Sequence, residues 1–130
     1  MTTRLVLGVS GAIEAATGVA LIVAPEFVAR LLLGTELSRG GVAVARVAAF
    51  GLLSLAVACW PRGTVADTQA VRALFVYNLL AGLYLGYLRV SAGFIAYLLW
   101  PACVLHVLLA LLLARPAVSF RPKYLRMFII

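Results

Sequence analysis

Charge is what this chain has least of. Of its 130 residues only 12% are charged and just four are acidic, against 65% that are apolar, and the mean hydropathy is +1.14. Soluble domains carry about a quarter charged residues and under half apolar ones. One core of this chain length could not hide so much apolar surface from water, which excludes a cytosolic enzyme and a disordered regulator. Cysteine is scarce too. Cys59 and Cys103 fall in separate apolar runs, one counted near a membrane face and the other near the middle. That spacing fits neither a disulfide scaffold nor a zinc or redox motif. The chain has one histidine, His106, so a haem held inside a single copy would lack a second axial imidazole. There is no phosphate loop, HExxH, nucleophile elbow or CxxC, and Gly8-Val9-Ser10-Gly11 lies within an apolar run rather than after a strand. No catalytic residue, no metal site and no required cofactor follow from the sequence.

What is present is a set of long apolar runs. At about 20 residues per span, four fill the chain. The expectation is an all-α integral membrane protein, an up-down-up-down four-helix bundle with a short amphipathic surface helix after the first span. It forms a single transmembrane domain over 1–130, with spans at about 5–24, 41–60, 68–89 and 92–114 and a basic cytoplasmic tail over 115–130. Arg4 before the first run invites a signal-peptide reading. The length of the run, Glu14 in its middle and the want of a small-x-small cleavage site make it a retained helix instead. Asp67 is the expected N-cap of the third span. Arg89-Val90-Ser91 is barely a turn, so the third and fourth spans form a hairpin, and the short Pro61–Asp67 link makes the second and third neighbours. Arg115-Pro116 closes the last span, and Trp100-Pro101 implies a kink in it. Between the first two spans, Pro25 to Gly34 has proline in its first turn, Glu26 and Arg30 four apart in the favourable order, and a terminal glycine. These are the marks of a short helix, and Phe27 and Leu31 on one face would lay it on the membrane surface.

The net charge of +7 is placed for a membrane, not for nucleic acid. With both termini inside, Arg4, Arg62, Arg72, Arg115, Arg121, Lys123 and Arg126 are cytoplasmic and Arg30, Arg39 and Arg89 are not, seven against three. Small residues at helical spacing supply surfaces for close helix approach. They are Gly11 and Ala15; Ala12, Ala16 and Ala20; Gly41, Ala45 and Ala49; Gly82 and Gly86; Ala102 and Ala110.

Polar side chains inside the spans carry the functional information. Glu14, Arg46, Asn78 and His106, one from each span, are expected to form an intramembrane polar layer. Glu14 lies about 15 Å along its helix from Arg4 and His106 about 13 Å from Arg115, with Arg46 entering from the other face. One reading is that the layer joins the bundle, with Glu14 paired to Arg46. A second is a site for an amphipathic ligand such as a quinone, haem or pigment, or part of a proton path, with Tyr77, Tyr84 and Trp100 as ligand contacts. A third is pairing with a polar group on a partner subunit. The Ala102-x-x-x-His106 spacing resembles the pigment-binding helices of bacterial light-harvesting polypeptides. A channel would need more polar lining than four residues per chain.

Gly18, Pro25, the Leu-rich piece ending in Gly34, then Arg46 and Gly51 together resemble the small four-helix bacterial membrane proteins of the DoxX-like group. The resemblance implies the bacterial inner membrane and, by analogy with some relatives, a non-catalytic accessory or scaffold subunit of a larger complex. The implied partners are the lipid bilayer and other membrane subunits. The alternative is a redox-associated protein that binds a ligand in the polar layer.

Overall fold

A computed structural model describes residues 2–62 and 66–118, with Ala66 and Asp67 described by their backbone alone. The described residues are all helical or connecting, without strands. The helices are α1 (Thr3–Val23), α2 (Pro25–Leu33), α3 (Arg39–Ala58), α4 (Ala66–Val90) and α5 (Leu99–Val118). Four of these, all but α2, are long and apolar enough to cross a membrane. Cys59 and Cys103 are free and buried, and Lys123 and the rest of the tail beyond Val118 lie outside the described residues.

The helices pack as two pairs, α1 on α3 and α4 on α5, with lighter contacts from α1 to α4 and α5. This corrects the expectation that the second and third spans are neighbours. Small residues, not the length of the link, decide the pairing. A Cβ on Gly18 would come within 2.9 Å of the Leu53 side chain and 3.0 Å of the Ala49 carbonyl oxygen. Gly11 faces Ala56 and Trp60, and Gly8 faces Pro61, so α1 and α3 run in opposite directions with their backbones close. Gly82 does the same for α4, its missing Cβ lying 3.0 Å from the Val107 side chain and 3.3 Å from the Val107 nitrogen. The Cys103 thiol completes that seam by donating to the Gly82 carbonyl at 3.4 Å. The Gly82/Gly86 pair thus serves a contact within the chain. One end of the molecule closes around Val6, Leu7, Cys59, Val71, Leu74, Leu109 and Leu113.

The short helix after the first span forms over Pro25–Leu33, with Pro25 in the first turn and Gly34 at its end in the left-handed region, φ 68°. Arg30, however, pairs with Glu36 at 2.7 Å rather than with Glu26. Glu26 stays in the first turn of α2, where the helix dipole favours it. The Gly34 turn brings Glu36 back towards Arg30. Ser38, at the start of α3, accepts a hydrogen bond from the Gly41 N–H at 3.1 Å, an N-cap.

The expected tight turn at Arg89–Ser91 is instead a longer link, and α5 begins at Leu99 rather than at 92. The Ser91 and Ala92 N–H groups cap α4 on the Tyr87 carbonyl, and that of Phe94 bonds the Leu88 carbonyl, with Gly93 at φ 73°. The chain then runs back to dock on α2. The Leu98 N–H donates to the Leu31 carbonyl at 3.0 Å, and a side chain on Gly34 would collide with the Ile95 carbonyl. Only after this docking does the helix start. Pro101 therefore sits in its first turn, where a missing N–H costs nothing, and it does not mark a kink inside a span. Pro116 is the internal proline, since α5 runs on to Val118. It removes one donor close to the helix end, where Arg72 donates to the Ala117 carbonyl at 3.4 Å. The Asp67 cap falls one residue inside α4, and its side chain lies outside what is described.

Candidate functional site

Three of the four expected polar residues lie near one another, and the fourth does not. Asn78 is fully buried on α4 and joins three helices. Its amide nitrogen donates to Ser10 Oγ of α1 at 3.2 Å and to the Leu74 carbonyl at 2.8 Å. Its carbonyl oxygen lies 2.8 Å from Nδ1 of His106 on α5. The Leu74 carbonyl can only accept, so the amide orientation is fixed with Oδ1 towards the imidazole. Nδ1 must therefore carry the hydrogen. Tyr77 meets the same ring edge-on, 5.7 Å between centroids at 81°. The Tyr77 side chain also neighbours the Glu14 carboxyl.

Glu14 is 1% exposed, and its Oε1 is the buried side-chain oxygen without a hydrogen-bond partner among the described residues. Ser10 sits one helical turn before it on the same face. Sequence reasoning passed over Ser10 because it took the Gly8–Gly11 stretch only as part of an apolar run. The signal was the four-residue spacing to Glu14.

Arg46 does not join this cluster. The register set by Gly18 against Ala49 and Leu53, and by Gly11 against Ala56 and Trp60, puts Glu14 level with about Leu55. Arg46 is then about 13 Å further along α3, and it is exposed. Counting depth from the ends of the runs missed this, because it could not know how far the two helices slide past each other. Tyr84 and Trp100 are also elsewhere. Each lies six residues from the polar residue of its helix, about 240° round the axis. Tyr84 is exposed and stacks on Tyr87 with centroids 6.2 Å apart, and Trp100 is half exposed.

Beside the cluster lies a cleft of about 510 Å³ between α1, α2 and α5. Phe27, Val28, Leu31 and Leu32 of α2 form one wall, and Ile13, Ala16, Leu105 and Ala102 are among the residues that face them. The expected common face of Phe27 and Leu31 is turned to this cleft. Its polar side chains are Thr17 and His106. The volume falls in the range of small-molecule sites, about 300–1,000 Å³, and so does the lining, apolar with a few convergent polar groups. The imidazole is the link between cleft and network. Nδ1 is held by α4, the ring lines the cleft, and Nε2 makes no hydrogen bond to the described residues. No three His, Cys, Asp or Glu side chains gather as a metal site among the described residues.

Compared with known proteins, the chain matches no family model, no curated protein and no solved structure.

Proposed function

We propose that the chain is a multi-pass bacterial inner-membrane protein, with both termini cytoplasmic and its four long helices arranged up-down-up-down. Its function is to hold an amphipathic small molecule in the cleft between α1, α2 and α5. The observation that carries this reading is the cleft itself, about 510 Å³ of largely apolar space lined by the His106 imidazole, which is tied into a buried hydrogen-bonded network. Networks of this kind fix a side chain in one orientation, which is what recognition of a polar head requires. A redox-associated role with a quinone, haem or pigment is a narrower form of the same reading.

The test is extraction of the protein purified in mild detergent, with mass spectrometry of the organic phase. A near-stoichiometric small amphiphile in the natural protein, lost from an Ala102→Phe variant that fills the cleft, supports the proposal. The same lipids in both preparations refute it.

A second reading, a non-catalytic accessory or scaffold subunit as in the DoxX-like resemblance, is favoured by α3. Arg46 is exposed on a helix whose Val44, Val47, Phe50 and Val57 are also exposed. An arginine within an apolar span is costly unless it reaches the interface or a partner, and an acidic group on a neighbouring subunit would satisfy it. Native size in mild detergent separates a lone bundle from such a subunit.

A further inference from the structure

We infer that the cleft selects a ligand whose head group is a hydroxyl, an alcohol or phenol, over the matching ether or carbonyl compound. The inference rests on the cleft being a ligand site and goes on to name the chemistry of the ligand. Its basis is the tautomer. The Asn78 amide is oriented by its donation to the Leu74 carbonyl at 2.8 Å and to Ser10 Oγ at 3.2 Å. Its carbonyl oxygen can only accept, so His106 Nδ1, 2.8 Å away, is the donor. A neutral imidazole has one donor and one acceptor nitrogen. Nε2 is therefore the acceptor, and it is the nitrogen left without a partner among the described residues on a ring that lines the cleft.

The other polar side chain of the lining is Thr17, whose hydroxyl can donate as well as accept. Wall and head then match. The ligand O–H donates to Nε2 and its oxygen accepts from Thr17 Oγ1. An ether or a ketone would offer Nε2 only a lone pair. A site built around a hydrogen bond rejects an analogue that lacks it, because its own polar atom is left unpaired. The apolar tail of the ligand lies among Ile13, Leu31, Leu32 and Leu105.

The experiment uses the full chain in lipid nanodiscs and two probes that differ only at the head, 4-nonylphenol and its methyl ether. The phenol is expected to bind about tenfold more tightly. Thr17→Val should reduce that ratio, and Asn78→Leu should abolish it by releasing the tautomer, both while ether binding persists. Because His106 is the sole histidine of the chain, histidine-selective 15N labelling reads its two nitrogens without substitution. The unliganded protein should show a protonated Nδ1 and a bare Nε2, and phenol should shift Nε2 alone. A protonated Nε2 in the unliganded protein, or equal affinity for the two probes, overturns the inference and leaves the cleft proposal standing. Absence of cleft binding by both, with affinities unchanged by Ala102→Phe, overturns both.

Discussion

Asn78 and His106 are held 2.8 Å apart across the α4–α5 seam, with the amide oxygen accepting from the imidazole. The same amide reaches α1 through Ser10, so one side chain ties three helices. Asn78→Leu should cost about 1–3 kcal/mol, because it leaves Nδ1 of His106, in either tautomer, buried against an apolar side chain. Ser10→Ala should cost only about 1 kcal/mol, the size of a single interhelical bond. Thermal unfolding in detergent, followed by far-ultraviolet circular dichroism, checks both. Equal losses for the two variants would mean that Asn78 has no special place in the bundle.

Two glycines make a matched pair for the packing of α1 on α3. A Cβ on Gly18 meets Leu53 and, at 3.0 Å, the Ala49 carbonyl oxygen, which cannot move without moving α3. Gly18→Ala should therefore destabilise by about 1–3 kcal/mol, the range for overpacking. Gly51 has nothing within 4 Å of its Cβ position. Gly51→Ala should be neutral or stabilising by up to about 1 kcal/mol through helix propensity. The expected order of midpoints is Gly51→Ala, natural protein, Gly18→Ala, and a reversal would contradict the seam.

Orientation can be read with thiol labels. Gly34 against Ile95 puts residues near 38 and 91 at one end of the molecule. Gly8 against Pro61, and Arg72 bonded to Ala117, put residue 2 at the other. Cysteine at Arg39 or Ser91 should react with an impermeant maleimide on intact cells, and cysteine at Thr2 should react only after lysis. The native thiols give a quiet background, since Cys59 is 2% and Cys103 7% exposed. The reverse pattern would overturn the inference drawn from the arginines.

Composition and run length were enough to read four long apolar helices, because the amount of apolar surface depends on no neighbour. The proline, the terminal glycine and the 3.6-residue period were likewise enough for the α2 helix. What was not legible depends on contacts between elements. The start of α5 moved to Leu99 because residues 94–98 dock on α2 first, through the Leu98–Leu31 bond. The pairing of α3 with α1 turned on the register of Gly11 and Gly18. Of the polar layer, Glu14, Asn78 and His106 were readable as charges or amides in apolar runs. Arg46 was misplaced for want of that same register, and the cleft could not be foreseen without the position of α2.

Glu14 and Arg46 should behave as independent residues. The α1–α3 register places them about 13 Å apart along the axis, and Arg46 is exposed while Glu14 is buried. The ion pair found among the described residues is Arg30 with Glu36. A double-mutant cycle with Glu14→Gln, Arg46→Gln and the double variant should give losses that add to within about 0.5 kcal/mol, as for separated sites. Arg46→Gln alone should leave the unfolding midpoint unchanged. Glu14→Leu, which removes an oxygen that is buried without a partner, should raise it, since such an atom costs about 1–3 kcal/mol when unsatisfied. A coupling above about 1 kcal/mol, with the double variant recovering part of the single losses, would instead mean that the two charges meet and that α1 and α3 sit in a different register.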